Sequence, residues 1–440
     1  MKRVFLNMCK GNQVLRILLF AAIILCAGSM VYGSGWLSIN GYYKSYFTAY
    51  DYTDVDYFFS GEVVSTEETP LNAAVNNRIR LKTMVRITNY LSIIGAYDFS
   101  PRVKGDEDSG TAGFLMGRLS SVFTKYRVDD IRYRLYPEPC EPMGNFGIYQ
   151  NLDRLFLTVN SRFADFYIGR QAIAWGSARV INPTDILAPY AFNELDIEDR
   201  IGVDAVRMRV PVGFMGEIDA GYVFGEDFEY KNSAMFLRGK FYYRRNDISL
   251  MAVNFRENLM LGIDWTRSIG GAGFWLEGAY VFDDAFSTDE RDSEYDYFRA
   301  TIGGDYSLRD GTYLFMEYHY NGAGANDIDE WLSGPFNQSY RLASGYLAGQ
   351  HYLAPGIGYQ ITPLIILNGQ MLANLSDPSL FLMPSIEYNI AENIYLSGGA
   401  YLGFGRPIEL VFSENDVEVR YNSEFGNYPD YYFTSFRIYF

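Results

Sequence analysis

The sequence predicts an all-β fold: a transmembrane, antiparallel, up-and-down β-barrel of about eighteen strands, within a range of roughly sixteen to twenty. Three observations predict it. The chain opens with an export leader, continues as a hairpin rhythm of alternating segments, and ends on a one-sided aromatic strand that stops at Phe440. Alternation alone does not separate a membrane barrel from a soluble sandwich, because both need one apolar row per strand. The leader and the terminus decide between them.

Lys2, Arg3, Lys10 and Arg16 form a positive n-region, and Ile17 to Ala27 is an apolar core too short to span a bilayer as a helix. Small residues follow, and Val31-Tyr32-Gly33 reads as a cleavage site before Ser34. Residues 1–33 are therefore expected to be a cleaved signal peptide, with an N-terminal anchor as the alternative. Cys26 lacks the small residue in front of it that lipoprotein processing requires. Cys9 and Cys26 leave with the leader, so Cys140 stands alone and neither an intramolecular disulfide nor a cysteine metal cluster is expected.

From residue 34 onward the chain reads as one barrel domain. Strands are expected at 36–49, 75–88, 91–99, 153–160, 164–171, 201–210, 215–224, 233–244, 248–255, 259–266, 272–282, 296–307, 311–320, 346–361, 364–373, 379–390, 394–402 and 430–440. In the second of these, Arg78, Arg80, Lys82, Met84 and Arg86 alternate with Ile79, Leu81, Thr83, Val85 and Ile87, which puts the two rows on opposite faces of a sheet. In the seventh, Glu217 and Asp219 alternate with Ile218, Ala220 and Tyr222. Tight connections such as Thr88-Asn89-Tyr90, Pro211 to Phe214, Arg244 to Asp247 and Thr362-Pro363 are expected to be periplasmic turns, and the longer connections extracellular loops. Residues 100–152 are ambiguous: Ile131, Tyr133 and Leu135 alternate with Arg132 and Arg134, so an extra strand or hairpin fits there, as does a segment lying over or inside the barrel mouth.

In the closing strand Tyr432, Phe436, Ile438 and Phe440 share a side, with Thr434 the polar member of the row. This end resembles the aromatic-terminated last strand of bacterial outer-membrane barrels. That resemblance implies outer-membrane lipid and lipopolysaccharide around the wall, and delivery to the barrel-assembly machinery through the strand. The high aromatic content, with 38 Tyr and 42 Gly, fits girdles and tight strand bends.

The formal charge is −16, and about −20 once the leader's four basic residues are removed, so nucleic acid is not expected as a partner. Acidic clusters such as Asp106 to Asp108 and Asp289 to Glu294 fall between strands. They read as solvated loop tips, or as sites for divalent cations beside an anionic leaflet, but none has the ligand spacing of a dedicated calcium loop. The expected inward rows carry both signs: Arg78, Arg80, Lys82 and Arg86; Arg207 and Arg209; Glu217 and Asp219; Arg238 and Lys240; then Asp264, Glu277, Glu317 and Glu387. Two readings stand side by side. These charges set up a transverse field across lumen water, with a lean toward anionic solutes, or they pair and stiffen the wall.

The segment Gly169-Arg170-Gln171…Trp175-Gly176…Arg179…Asn182-Pro183-Thr184-Asp185…Pro189 leaves a strand and enters a connection of about thirty residues, long enough to need a purpose. Asn182 to Asp185 is turn chemistry. Residues 172–200 are the candidate for a loop folded inward as a constriction, with Arg170, Gln171, Trp175, Arg179, Asn182 and Asp185 as its functional residues. The alternative is a structural latch in which Trp175 packs on the wall and Arg170 or Arg179 pairs with Asp185. The pattern G-R-Q-x-x-x-W-G, N-P-x-D resembles an element of largely uncharacterised porin-like outer-membrane proteins and, more distantly, alginate-export-type porins. The resemblance implies an outer-membrane channel and specifies no solute.

The chain contains only two histidines, His319 and His351, and no Gly-x-Ser-x-Gly elbow, so an enzyme is not expected. The first strand begins too close to the expected cleavage site for a plug domain. The expected function is passive diffusion of small hydrophilic solutes, without metal or cofactor and with the oligomeric state open. A sealed structural or adhesive barrel is the alternative.

Overall fold

The computed structural model describes residues 35–51, 56–59, 62–65, 72–104, 126–138, 140–142, 144–190, 192–286, 295–327, 347–407, 409–412, 417–420 and 422–440. The expected leader lies outside them, as do most of the acidic clusters.

Eighteen strands form a closed antiparallel barrel. They are β1 (Leu37–Asp51), β2 (Asn72–Arg86), β3 (Leu91–Lys104), β4 (Phe146–Asn160), β5 (Asp165–Gln171), β6 (Val203–Val212), β7 (Gly216–Phe224), β8 (Ala234–Tyr243) and β9 (Asn246–Phe255). The second half comprises β10 (Asn258–Ile269), β11 (Ala272–Phe282), β12 (Tyr297–Ser307), β13 (Tyr313–Asn321), β14 (His351–Thr362), β15 (Ile365–Asn374), β16 (Ser379–Ala391), β17 (Ile394–Phe404) and β18 (Asp430–Tyr439). Each strand pairs with its sequence neighbours, and β18 pairs with β1 to close the ring, Tyr439 opposite Tyr42. All eighteen segments expected from the alternation are strands. No helix among the described residues is long and apolar enough to cross a membrane.

The two faces of the wall sort as the period predicts. Leu155, Ile168, Leu237, Leu250, Ile302 and Met316 lie exposed on the outside, while Lys44, Arg80, Asp219, Glu277 and Glu317 on the other face are buried. Outward aromatic rings gather toward both strand ends: Phe224, Tyr280 and Tyr320 at one, Phe241, Tyr306 and Tyr388 at the other. Such belts are expected where a wall crosses two lipid–water interfaces.

Residues 100–152 resolve into longer barrel strands and a cover. β3 runs to Lys104 and β4 begins at Phe146, both beyond the expected limits. β5 is short and ends at Gln171, which leaves the upper part of β4 without a partner on that side. A four-residue strand, Tyr133–Tyr136, pairs there with Gln150, Tyr149 and Ile148. The preceding residues meet β6: the carbonyl of Tyr126 accepts from the Asp204 amide at 3.0 Å, and the Val128 amide donates to Asp204 Oδ2 at 2.9 Å. An open sheet edge is thereby satisfied.

The interior is not polar throughout. One apolar cluster joins Ile173, Trp175, Ile186 and Leu187 to the wall residues Val203, Val253 and Val281. A second joins Ile181 to Tyr352, Leu372, Phe381 and Phe425. The connection between β17 and β18 is held by Glu424. This buried carboxyl accepts from Tyr352 Oη at 2.5 Å, Asn374 Nδ2 at 2.9 Å and the Ala348 amide at 2.8 Å. Burial pushes Glu424 up from 4.5 to about 7.

Two outcomes follow from this architecture. Replacing Leu237, near the middle of β8, by Arg costs about 2–4 kcal/mol of folding stability in phospholipid bilayers. The same change at Lys240 on the inner face of β8 costs little, and equilibrium unfolding in liposomes compares the two. For Glu424 the folded state keeps a proton that the unfolded chain has released, so its contribution falls as pH rises from 4.5 to about 7 and is flat above that. The protection factor of the Ala348 amide against hydrogen exchange should decline over that window, and Glu424→Gln should remove the slope.

Candidate permeation site

The connection between β5 and β6 does not stay at the rim. It departs at Gly169, whose φ of +121° and close approach to the Leu155 carbonyl exclude a side chain there. Residues 172–190 and 192–202 then run across the inside of the barrel and fasten to inward-facing side chains on both sides. Arg170 marks the departure point. Its guanidinium binds Asp204 at 2.7 Å and the carbonyls of Leu152 and Asp129, so it knits β4, β6 and the cover together and is not paired with Asp185. Gln171 donates to the Ala205 carbonyl at 3.3 Å.

On the β10–β13 side the fastening is made by carboxylates accepting backbone amides. Glu277 of β11, fully buried, accepts from the amides of Ser177 at 3.1 Å, Ala178 at 3.2 Å and Thr184 at 2.8 Å, and from Thr184 Oγ1 at 2.6 Å. Glu317 of β13 accepts from the amides of Arg179 and of Val180 (2.9 Å) and from Trp275 Nε1 at 2.8 Å. Ser177 Oγ donates to Asp264. Gly176 (φ +104°) permits this: a Cβ there would sit 2.7 Å from Glu277 Oε1. Hydrogen bonds to carboxyl oxygens carry direction as well as energy. The carbonyls of Ile181 and Pro183 accept from Thr301 and Arg299 of β12. The expected turn is present, with the Asp185 amide donating to the Asn182 carbonyl at 3.3 Å.

On the opposite side the polarity reverses. Here the loop supplies acids and the wall supplies bases. Asp196 lies 2.7 Å from Lys44 and 2.9 Å from Arg78, and Glu198 lies 2.5 Å from Lys44. Asp199 receives Tyr42 Oη at 3.0 Å and faces Lys82 at 3.1 Å and Arg154 at 3.4 Å. Burial opposes the charged form of Asp199, but Arg80, Lys82 and Arg154 outweigh it and hold the carboxyl below the usual range. Arg80 also grips Asp98 at 3.0 Å and Asp153 at 2.5 Å.

Other expected site residues are likewise engaged. Arg207 pairs with Asp219 at 2.6 Å and Arg209 with Glu217 at 2.5 Å. Arg238 donates to Ser249 at 2.9 Å, Lys240 stands 3.9 Å from Asp247, and Arg86 reaches the Gly35 carbonyl at the short-turn rim. Trp175 is buried edge-on against Phe236 at 4.8 Å. Arg179 pairs with Asp305 at 3.0 Å. Asp185 contacts Arg200 at 2.6 Å, so neither partner expected for it, Arg170 nor Arg179, is the one it has. Burial pushes Asp185 up to about 6 in spite of that arginine.

The acids Asp196, Glu198 and Asp199 and their partner Lys44 were not anticipated. Glu194 to Arg200 (Glu-Leu-Asp-Ile-Glu-Asp-Arg) is nonetheless a dense charge run placed within the one connection singled out for its length.

Between the loop and the wall from β13 to β18 a cavity of about 440 Å³ remains. Asn182 and Tyr190 line it from the loop, and Tyr313, Phe315, Gln370 and Phe433 from the wall.

No protein-family model matches the sequence, and no curated protein matches it. Solved structures do. The chain is similar to OccAB2 of Acinetobacter baumannii, at 10% identity and a TM-score of 0.54 over 92% of this chain and 98% of that one. A BenF-like porin from Pseudomonas fluorescens Pf-5 matches at 10% identity and a TM-score of 0.51, over 92% of this chain and 99% of that one. OpdQ of Pseudomonas aeruginosa gives 9%, 0.51, 92% and 97%. At such identities the likeness is one of fold: a closed eighteen-strand barrel of the kind porins adopt.

Proposed function

We propose that this protein is an integral outer-membrane channel for passive diffusion of small hydrophilic solutes, with residues 172–200 as its constriction. The observation that carries this reading is a loop laid across the interior on Glu277 and Glu317, with a cavity of about 440 Å³ beside it. An apolar exterior with aromatic belts suits a lipid environment, and the shared fold with a BenF-like porin supports the same reading. With β1 and β18 meeting at the short-turn rim, that rim is assigned to the periplasm and the long connections to the cell exterior.

The inward charges support a passage for polar solutes more than for anions as a class. Arg78, Arg80, Lys82, Arg207 and Arg209 each face a carboxylate at 3.1 Å or less. A non-enzymatic role is favoured by both histidines being engaged in the wall: His319 Nδ1 meets Thr301 at 2.8 Å and His351 Nδ1 meets Tyr318 at 2.7 Å. A sealed structural barrel is the competing reading, favoured by the two apolar clusters that fill part of the lumen.

Reconstitution in planar bilayers separates them. A channel gives stable unitary steps, whereas a sealed barrel gives none. Glu277→Ala with Glu317→Ala frees the loop from one wall and should raise unitary conductance and open-channel noise, while unchanged conductance would remove the loop from the permeation path. The reversal potential in a salt gradient tests the charge pairing. Wild type should show weak selectivity, and Asp196→Asn with Asp199→Asn should shift it toward anions. Strong anion selectivity in the wild type would contradict the pairing.

A further inference from the structure

The cavity beside the loop is lined by aromatic rings as well as by charged groups. Phe315 and Gly356 are direct partners across β13 and β14, and Phe433 and Gly399 are partners across β17 and β18. A Cβ at Gly356 would lie 2.0 Å from Phe315 Cε1, and one at Gly399 would lie 2.8 Å from Phe433 Cε1. Each ring therefore lies over its glycine, along the wall and not across the lumen. One face rests on the backbone and the other faces the passage. Tyr313 and Tyr401 flank these rings at centroid distances of 6.1 Å and 5.6 Å. The polar groups of the lining include the amides and hydroxyl of Asn182, Asn368, Gln370 and Ser385, together with the carboxyls of Glu194 and Asp185. The two arginines of the lining have their charge met, Arg179 by Asp305 and Arg200 by Asp185.

Resting on the channel reading above, we propose that this passage is a selective site for neutral sugars. A pyranose ring offers an apolar C–H face on one side and a rim of hydroxyls around it. The first matches ring faces held flat on a wall, and the second matches uncharged amide and hydroxyl partners. The volume lies within the roughly 300–1,000 Å³ of ordinary small-molecule pockets. A carboxylate-bearing solute would find its arginines already occupied. A chain-like polyether has no flat face to stack.

The test uses the full-length mature protein in planar bilayers, with salt current as the readout and maltose as the probe. Maltose should interrupt the current in a saturable, concentration-dependent way, whereas a polyethylene glycol of equal hydrodynamic radius should lower it only as far as bulk conductivity falls. Phe315→Ala with Phe433→Ala should raise the half-blocking maltose concentration by about tenfold. Gly356→Ala, which lifts the Phe315 ring off the wall, should raise it in the same direction without removing a ring. Equal effects of maltose and polyethylene glycol on wild type would overturn the sugar site while leaving the channel intact. So would block that both variants leave unchanged, or benzoate blocking at lower concentration than maltose. Absence of unitary current altogether would instead remove the channel reading and this site with it.

Discussion

The rest of the structure depends on closure. Hydrocarbon offers no partner to a peptide group, so a sheet in that medium must have no free edge. Here the last residue meets that demand: the Gly41 amide donates to the Phe440 carbonyl at 2.8 Å and the Phe440 amide returns a bond to Gly41 at 3.0 Å. Once the ring is closed, the period of two assigns every side chain to lipid or to the interior. The same demand explains the cover formed by residues 126–136. When β5 leaves the wall early, another part of the chain takes up the peptide groups it would have paired.

The interior repeats this rule with carboxylates in place of strands. A buried carboxylate without a partner is costly, and so is a buried amide. Glu277 and Glu317 satisfy several loop amides at once, and the loop in turn satisfies them without a cation. On the other side the loop's own acids neutralise Lys44, Arg78 and Lys82. The loop is thus held by two unlike chemistries: directional amide bonds on one wall and ion pairs on the other. Breaking either leaves uncompensated groups in the interior, which is why a connection of this length stays inside rather than in solvent.

Much of this was legible in the sequence, and the reasons differ by element. Every barrel strand could be read because lipid-facing rows such as Ile79–Leu81–Thr83–Val85 or Leu276–Gly278–Tyr280 need period two regardless of their neighbours. Strand ends near Lys104 and Phe146 were not legible, since pairing there is decided by a partner far along the chain. Trp175 and the Asn182–Asp185 turn were identifiable because a large ring beside glycine and an Asn-Pro-Thr-Asp run act locally. The partners of those residues were not. Asp185 takes Arg200, and Arg170 takes Asp204, because the loop's path across the lumen sets those distances and no local pattern encodes the path. The flat rings of Phe315 and Phe433 depend on glycines one strand away, which only register reveals.

The central claim is that lipid touches the apolar rows while water reaches the space between loop and wall. Site-directed thiol labelling in liposomes tests it most directly, in a Cys140→Ser background and with a membrane-impermeant charged thiol reagent. Gln370→Cys, lining the cavity, should label readily and lower the current, and Ile302→Cys, on the outer face of β12, should resist labelling. Rapid labelling at Ile302→Cys with none at Gln370→Cys would contradict the account.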